Sequence, residues 1–292
     1  MTFVAWNSQP LGAWTQRYAK GKTIDLDGHR THYLELGHGN PVILLHGFFY
    51  DSYLWDPNVA ALAARFKVYV MDLWGFGYST REPMDYGYTL YAKQVLLFMD
   101  ALQIPRASFI GQSLGAGIAM VVAARHPSRV TKLVLAAPAG LPNPLPIGAR
   151  LFCLPLVGEC LASLRTNRVR RWVFQHYLFH DSAVVTDAYV DEATRFQKIQ
   201  GTTEAGLSML RRRFFDSLSG LMPHLAHMQI PTLIVWGRED RSIPLDRGLK
   251  LQALLPHAHL EVFDGAGHAV NVEAAGRFNR LAEEFLRDDA HH

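Results

Sequence analysis

"FIGQSLGAG", residues 109–117, begins as an apolar run and breaks into glycines around a single serine. The run from Arg106 reads as a strand, and "LGAGIAMVVAARHP" after it reads as a helix. Ser113 therefore stands at a strand-to-helix turn between Gly111 and Gly115. Gly-Gln-Ser-Leu-Gly matches G-x-S-x-G, in which two glycines permit a sharp turn that lifts the serine hydroxyl above a sheet. A helix starting at Leu114 would aim its free N–H groups and positive dipole end at the same place. Serine alone is a weak nucleophile, so this reading needs a base, an acid and donors for an oxyanion elsewhere in the chain.

Working outward, "KTIDLDGHRTHYLELG" holds two β-prone runs with a turn at Asp27-Gly28. "PVILLHG" is a continuous apolar run, as expected of a strand buried on both faces. A helix "DPNVAALAARF", a strand "KVYVMDL", a helix "LYAKQVLLFMDALQI" and, past the elbow, a strand "VTKLVLAAPAG" complete the first part. This alternation predicts an α/β fold with a mostly parallel sheet flanked by helices on both faces. From Leu141 to His224 no such strand occurs, and the stretch opens with the proline-rich "PNPLPIG". Alternation resumes with "IPTLIVWG", a helix after Ile243, "HLEVFDG" and "NVEAAGRFNRLAEEFLRD". The expected organisation is a core domain, residues 1–140 and 225–292, interrupted by a helical insertion at 141–224. At roughly 80 residues, that insertion is too long for an ordinary loop.

Composition narrows the classes. Of 292 residues, 49% are hydrophobic and 19% charged, which fits a large buried core and argues against disorder. A net charge of +3 is too weak to imply a nucleic-acid partner. The N-terminal stretch lacks the pattern of a signal peptide, and the longest apolar run is too short to span a membrane. A cytoplasmic, membrane-free protein acting on a small molecule is expected. Cys153 and Cys160 would be too far apart on one helix to bridge without a bend.

Ligands of open parallel sheets gather at the carboxyl ends of the strands. Those positions carry "HGFF", "DLWGFGYS", "GQSLG", "GREDRSIP" and "GAGHAV". His268 is the expected base, ahead of His46, because the order serine, acid, histidine suits the elbow. Asp240 is the expected acid, with Glu239 and Asp264 as alternatives. The backbone N–H groups of Phe48 and Leu114 are the expected oxyanion donors, and Phe49, Tyr50 and Gln112 the expected pocket residues. No H-E-x-x-H segment or dinucleotide fingerprint occurs, so no metal or cofactor is expected.

With "LLHGF", "DLWGFGYS", "GQSLG", "WGREDRSIP" and "GAGHAVNVE" in this order, the chain resembles the α/β-hydrolase superfamily from about Ile24 to its last helix. The resemblance implies an eight-stranded sheet with its second strand antiparallel, a helical cap after the sixth strand, and a structural Asp72. It implies a serine hydrolase cleaving carboxylic esters of short to medium acyl length through an acyl-enzyme. C–C bond hydrolysis of ring-fission diketo acids is the alternative, although "HGFFYD" stands where such enzymes commonly have "HGxGPG". It would need cap arginines facing Ser113. A receptor-like binding protein with slow turnover is the other alternative.

Overall fold

The computed structural model describes residues 3–145 and 147–287. Eight strands form one sheet: β1 (Lys22–Leu26), β2 (His29–Leu36), β3 (Pro41–Leu45), β4 (Lys67–Met71), β5 (Ala107–Gln112), β6 (Val130–Ala136), β7 (Thr232–Gly237) and β8 (His259–Phe263). Their spatial order is β1-β2-β4-β3-β5-β6-β7-β8. Among them β2 alone runs against the rest, pairing antiparallel with β1 and β4. The β1–β2 turn places Asp27 at φ 58° and Gly28 at φ 81°. Two left-handed residues match the twist of a tight hairpin, and the Asp25 carboxylate accepts the Gly28 N–H at 2.9 Å.

Helices cover both faces of the sheet. The first part supplies α1 (Leu11–Tyr18), α2 (Asp56–Ala63), α3 (Tyr88–Ala101) and α4 (Leu114–Arg125). Between β6 and β7 come α5 (Ile147–Cys153), α6 (Val157–Ser163), α7 (Arg168–Val173), α8 (Asp187–Ala193), α9 (Thr202–Arg212) and α10 (Met222–His227). A π-helical turn, Phe174–Leu178, follows α7 directly. The last part adds α11 (Leu245–Leu254), α12 (Val270–Glu273) and α13 (Ala275–Arg287).

Alternation along each strand splits the core into two layers. Ile43 and Leu45 of β3 pack with Phe109, Leu135, Trp236 and the α3–α4 side. Val42 and Leu44 pack with Val68, Ile110, Val235 and the α2–α13 side. Burial on both faces is why these strands read as unbroken apolar runs. Helix α4 is buried from Leu114 to Ala123, which accounts for its apolar residues all round.

The N-terminal segment makes long-range contacts of its own. Its backbone zips onto the stretch before α9: Asn7 N–H donates to Gln197 (3.0 Å), Ser8 N–H to Lys198 (2.7 Å), and Gln200 N–H to Gln9 (2.9 Å). The Trp14 indole donates to the Arg195 carbonyl at 3.1 Å. Cys153 and Cys160 are unbridged. Among the described residues no helix is long and apolar enough to cross a membrane.

Candidate active site

Ser113 lies between the end of β5 and the start of α4, at φ 51° and ψ −113°. That backbone is strained for a residue with a Cβ, so the surroundings must hold it. The Ser113 N–H donates to Ala136 at 2.9 Å, and its carbonyl accepts from Gly117 (3.0 Å) and Ala139 (3.1 Å). Both flanking glycines are required by close packing. A Cβ on Gly111 would collide with the Ala116 backbone, and one on Gly115 with the Leu45 carbonyl.

Asp240 follows β7 and His268 follows β8, both buried. Nδ1 of His268 lies 2.8 Å from Oδ2 of Asp240. A carboxylate only accepts, so in the neutral imidazole the proton sits on Nδ1 and Nε2 carries the lone pair. Oδ1 of Asp240 accepts the N–H groups of Ser242 and Ile243, each at 2.8 Å, so backbone fixes the acid's orientation. The other two acids are engaged elsewhere. Glu239 accepts from the N–H groups of Gly265 and Ala266. Asp264 is exposed and pairs with Arg238.

The loop before His268 is tethered through Glu273. One oxygen of that carboxyl accepts the Gly267 N–H at 2.6 Å. The other accepts the N–H groups of His180 (2.7 Å) and Asp181 (2.9 Å), after the π-helical turn. Burial raises the Glu273 carboxyl above its ordinary range. Glu273 is not among the expected site residues, and its one sequence signal is its place five residues after His268.

His46 is structural, as expected. It is fully buried, its Nδ1 lies 2.8 Å from the Gly47 carbonyl, and its Nε2 accepts the Leu73 N–H at 3.0 Å. Both nitrogens are used, which leaves none for a serine, and burial lowers its pKa. Asp72 shapes the same loop by accepting the N–H groups of Ser52 (2.7 Å) and Tyr78 (2.8 Å) and meeting His32 Nδ1 at 2.7 Å. Burial opposes its charge, but His32 and those donors keep the carboxyl well below the usual range. The same burial works against protonation of His32, and the Asp72 charge overrides it, so the imidazole titrates above its ordinary value. Asp51, one residue from the Asp72 contact, is pushed up to about 8 by burial and by the Asp72 charge.

Ser113 and His268 line one cavity of about 220 Å³. Phe48 and Phe49 wall it beside Phe76 and Phe196. Among the described residues, the backbone N–H groups of Phe48 and Leu114 have no hydrogen-bond acceptor. Trp172, Phe174 and Tyr177 border the cavity from the helical segment between β6 and β7. Phe76 belongs to "DLWGFGYS" after β4, so its place at a strand's carboxyl end was the available signal.

Two expected pocket residues require correction. Tyr50 is 1% exposed and lies outside the cavity lining. Its ring stacks on Phe174 with centroids 5.6 Å apart, and its hydroxyl is 3.1 Å from that of Tyr189. Gln112 is also outside the lining, because its amide donates to the His268 carbonyl at 3.1 Å and packs beneath Gly47. It braces the base loop instead of facing a ligand. Among the described residues no cluster of His, Cys, Asp or Glu is placed to hold a metal ion.

A family model described as the alpha/beta hydrolase fold matches residues 40–154 and 161–275. The chain is 34% identical to a 2-hydroxy-6-oxo-6-phenylhexa-2,4-dienoate hydrolase of Comamonas testosteroni, over 94% of this chain and 96% of that one. It is 33% identical to a 2-hydroxymuconate semialdehyde hydrolase of Pseudomonas putida, over 93% and 96%. A solved meta-cleavage product hydrolase of Pseudomonas fluorescens superposes with a TM-score of 0.81 at 30% identity, covering 92% of this chain and 98% of that one. These relatives overturn the carboxylic-ester expectation. Serine, histidine and aspartate are equally suited to esters and ketones, so the triad carried no information about the leaving group, whereas the near-full-length likeness runs to hydrolases named for 2-hydroxy-6-oxo-6-phenylhexa-2,4-dienoate and 2-hydroxymuconate semialdehyde.

Proposed function

The chain belongs to the α/β-hydrolase fold family and is a hydrolase, and from that premise we propose that it cleaves a carbon–carbon bond in 2-hydroxy-6-oxo-dienoate ring-fission products. The observation that carries this reading is the likeness to such hydrolases over nearly the whole chain, together with a largely apolar cavity that Ser113 and His268 share. We take residues 141–224 as the cap over that cavity.

Carbon is a poor leaving group, so the bond must first be made breakable. Moving the 2-hydroxyl proton to C5 turns the dienol into a 2,6-dioxo acid. His268, with Nε2 unprotonated, is the base for the next step. It takes the Ser113 proton as Oγ adds to C6, and Asp240 stabilises the resulting imidazolium. The oxyanion at C6 is received by the N–H groups of Phe48 and Leu114. The C5–C6 bond then breaks, its electron pair passes through the C3–C4 double bond to the 2-oxo group, and the imidazolium returns its proton to the leaving fragment. An acyl-enzyme on Ser113 remains, and water activated by His268 releases the second acid.

The test follows decay of the dienoate chromophore in the wild type and in Ser113→Ala, with a short-chain aryl ester alongside. A kcat/KM for the dienoate well above that for the ester is expected, with a loss of about a thousandfold or more in the variant. Ester turnover outrunning dienoate turnover would overturn the proposal.

A further inference from the structure

Helices α5 and α6 pack on each other, and both rest on α9. The Arg211 guanidinium of α9 meets Glu159 at 2.8 Å and donates to the Cys153 carbonyl at 3.2 Å. Gly158 sits so close that a Cβ there would collide with the Phe152 carbonyl and press on the Leu207 side chain. Elsewhere the pair carries apolar side chains in water. Leu151 is 48% exposed, Leu154 49% and Leu156 82%. The turn Leu154-Pro155-Leu156-Val157 exposes four apolar residues in succession. Of the ten large hydrophobic residues exposed among the described residues, six fall between Leu151 and Trp172. Scattered exposed leucines need no explanation, but a concentration of them marks a surface that meets something.

Folding does not call for these residues. Leu156 stands at φ 66°, a left-handed backbone that costs a leucine energy and a glycine nothing. A leucine held there in water adds nothing to the core. The charge beside this face has one sign. Arg150, Arg165 and Arg168 are exposed. Arg171 pairs with Asp187 and Arg212 with Asp85, whereas Arg165 and Arg168 pair with no carboxylate among the described residues. From residue 145 to residue 172 the one acid is Glu159, and Arg211 neutralises it. Trp172 is well exposed and also borders the cavity of Ser113 and His268, so that cavity approaches the surface at this segment.

We propose that the exposed face of α5 and α6 docks on an anionic lipid bilayer. Leu151, Leu154, Leu156 and Val157 enter the boundary between headgroups and acyl chains, and Arg165 and Arg168 meet lipid phosphates. Apolar side chains bordered by arginines suit that interface, where the two forces act together. A second copy of the chain fits worse, because a two-fold contact would set each arginine cluster against its own duplicate. Resting on a bilayer takes no spanning helix, so the short apolar runs behind the membrane-free expectation do not bear on it. Docking there holds the Trp172 side of the cavity beside an apolar phase, in which an apolar ligand is concentrated.

The experiment is flotation of the full chain with vesicles of phosphatidylcholine alone and of equal parts phosphatidylcholine and phosphatidylglycerol. Wild type should float with the mixed vesicles at about 0.1 M salt and much less at about 1 M. Leu154→Ser with Leu156→Gly should lower partitioning about tenfold or more. Arg165→Gln with Arg168→Gln should lower it about tenfold and flatten the salt dependence. Leu156→Gly alone relieves the left-handed leucine, so it should match or exceed wild type in Tm while floating less. It decides the matter if thermal unfolding shows the double variant to be misfolded. Wild type that stays unbound, binds both vesicles alike at either salt, or floats as well after these substitutions overturns the proposal. Sedimentation without vesicles covers the remaining occupant: a dimer that Leu156→Gly dissociates makes this face a contact between copies and also overturns it.

Discussion

Asp240 performs two tasks with two oxygens, and substitution separates them. In Asp240→Asn, Oδ1 still accepts the N–H groups of Ser242 and Ile243, while an amide N–H replaces the oxygen that faces His268. The imidazole must then accept at Nδ1 and carry its proton on Nε2. That tautomer has no lone pair for the Ser113 proton. In serine proteases the comparable change costs about ten-thousand-fold in kcat, and we expect a similar loss here. It corresponds to about 5 kcal/mol of barrier. The fold should persist, because the backbone contacts remain. Asp240→Ala removes both oxygens and leaves two N–H groups without their acceptor. At about 1.5 kcal/mol or more for each bond to a charged acceptor, the stability loss is about 3 kcal/mol. For a chain of this size that lowers Tm by about 6 °C. Dienoate turnover and thermal unfolding measured on both variants test the split. Asp240→Asn within about tenfold of wild-type turnover, or an Asp240→Ala protein as stable as Asp240→Asn, would refute the reasoning.

Two further outcomes are expected. In Gly115→Ala the new methyl would collide with the Leu45 carbonyl and lie 2.8 Å from the His46 carbonyl oxygen, and backbone cannot swing aside. We expect a loss of about 3 kcal/mol or more, and a wild-type Tm would show that the strand and helix separate more easily than the packing implies. Asp51 titrates at about 8 in the folded chain and near 4 when unfolded, so the native state holds the extra proton in that window. Stability should fall as pH rises from about 4 through about 8. Asp51→Asn keeps an acceptor for the Tyr53 N–H and stays neutral, so its urea-unfolding free energy should decline less between those limits. Identical pH dependence in the two proteins would contradict the assignment.

The features that could be read from sequence are those with local causes. Strands buried on both faces announce themselves as unbroken apolar runs, and the elbow glycines are dictated by backbone contacts within and beside the turn. Chain order, and position at strand ends, led to His268 and Asp240 over His46 and Glu239. Tyr50 and Gln112 misled because adjacency to a site residue does not decide which way a side chain turns. Tyr50 is drawn into an aromatic stack with Phe174, and Gln112 into a bond with the His268 carbonyl. Helix α1 passed unnoticed because Trp14 is its one buried residue and leaves no periodic stripe. The leaving group of the reaction is carried by the substrate, which is why the triad alone led toward esters.

The zipper between residues 7–9 and the stretch before α9 has a consequence for how this hydrolase can change. Substitutions near the beginning of the chain can tilt Trp6 and shift Arg170, whose guanidinium lies over the Trp6 ring and which lines the cavity, while the serine, histidine and aspartate stay where they are. Ligand preference can therefore drift independently of reactivity, through a part of the polypeptide that touches none of the reacting atoms.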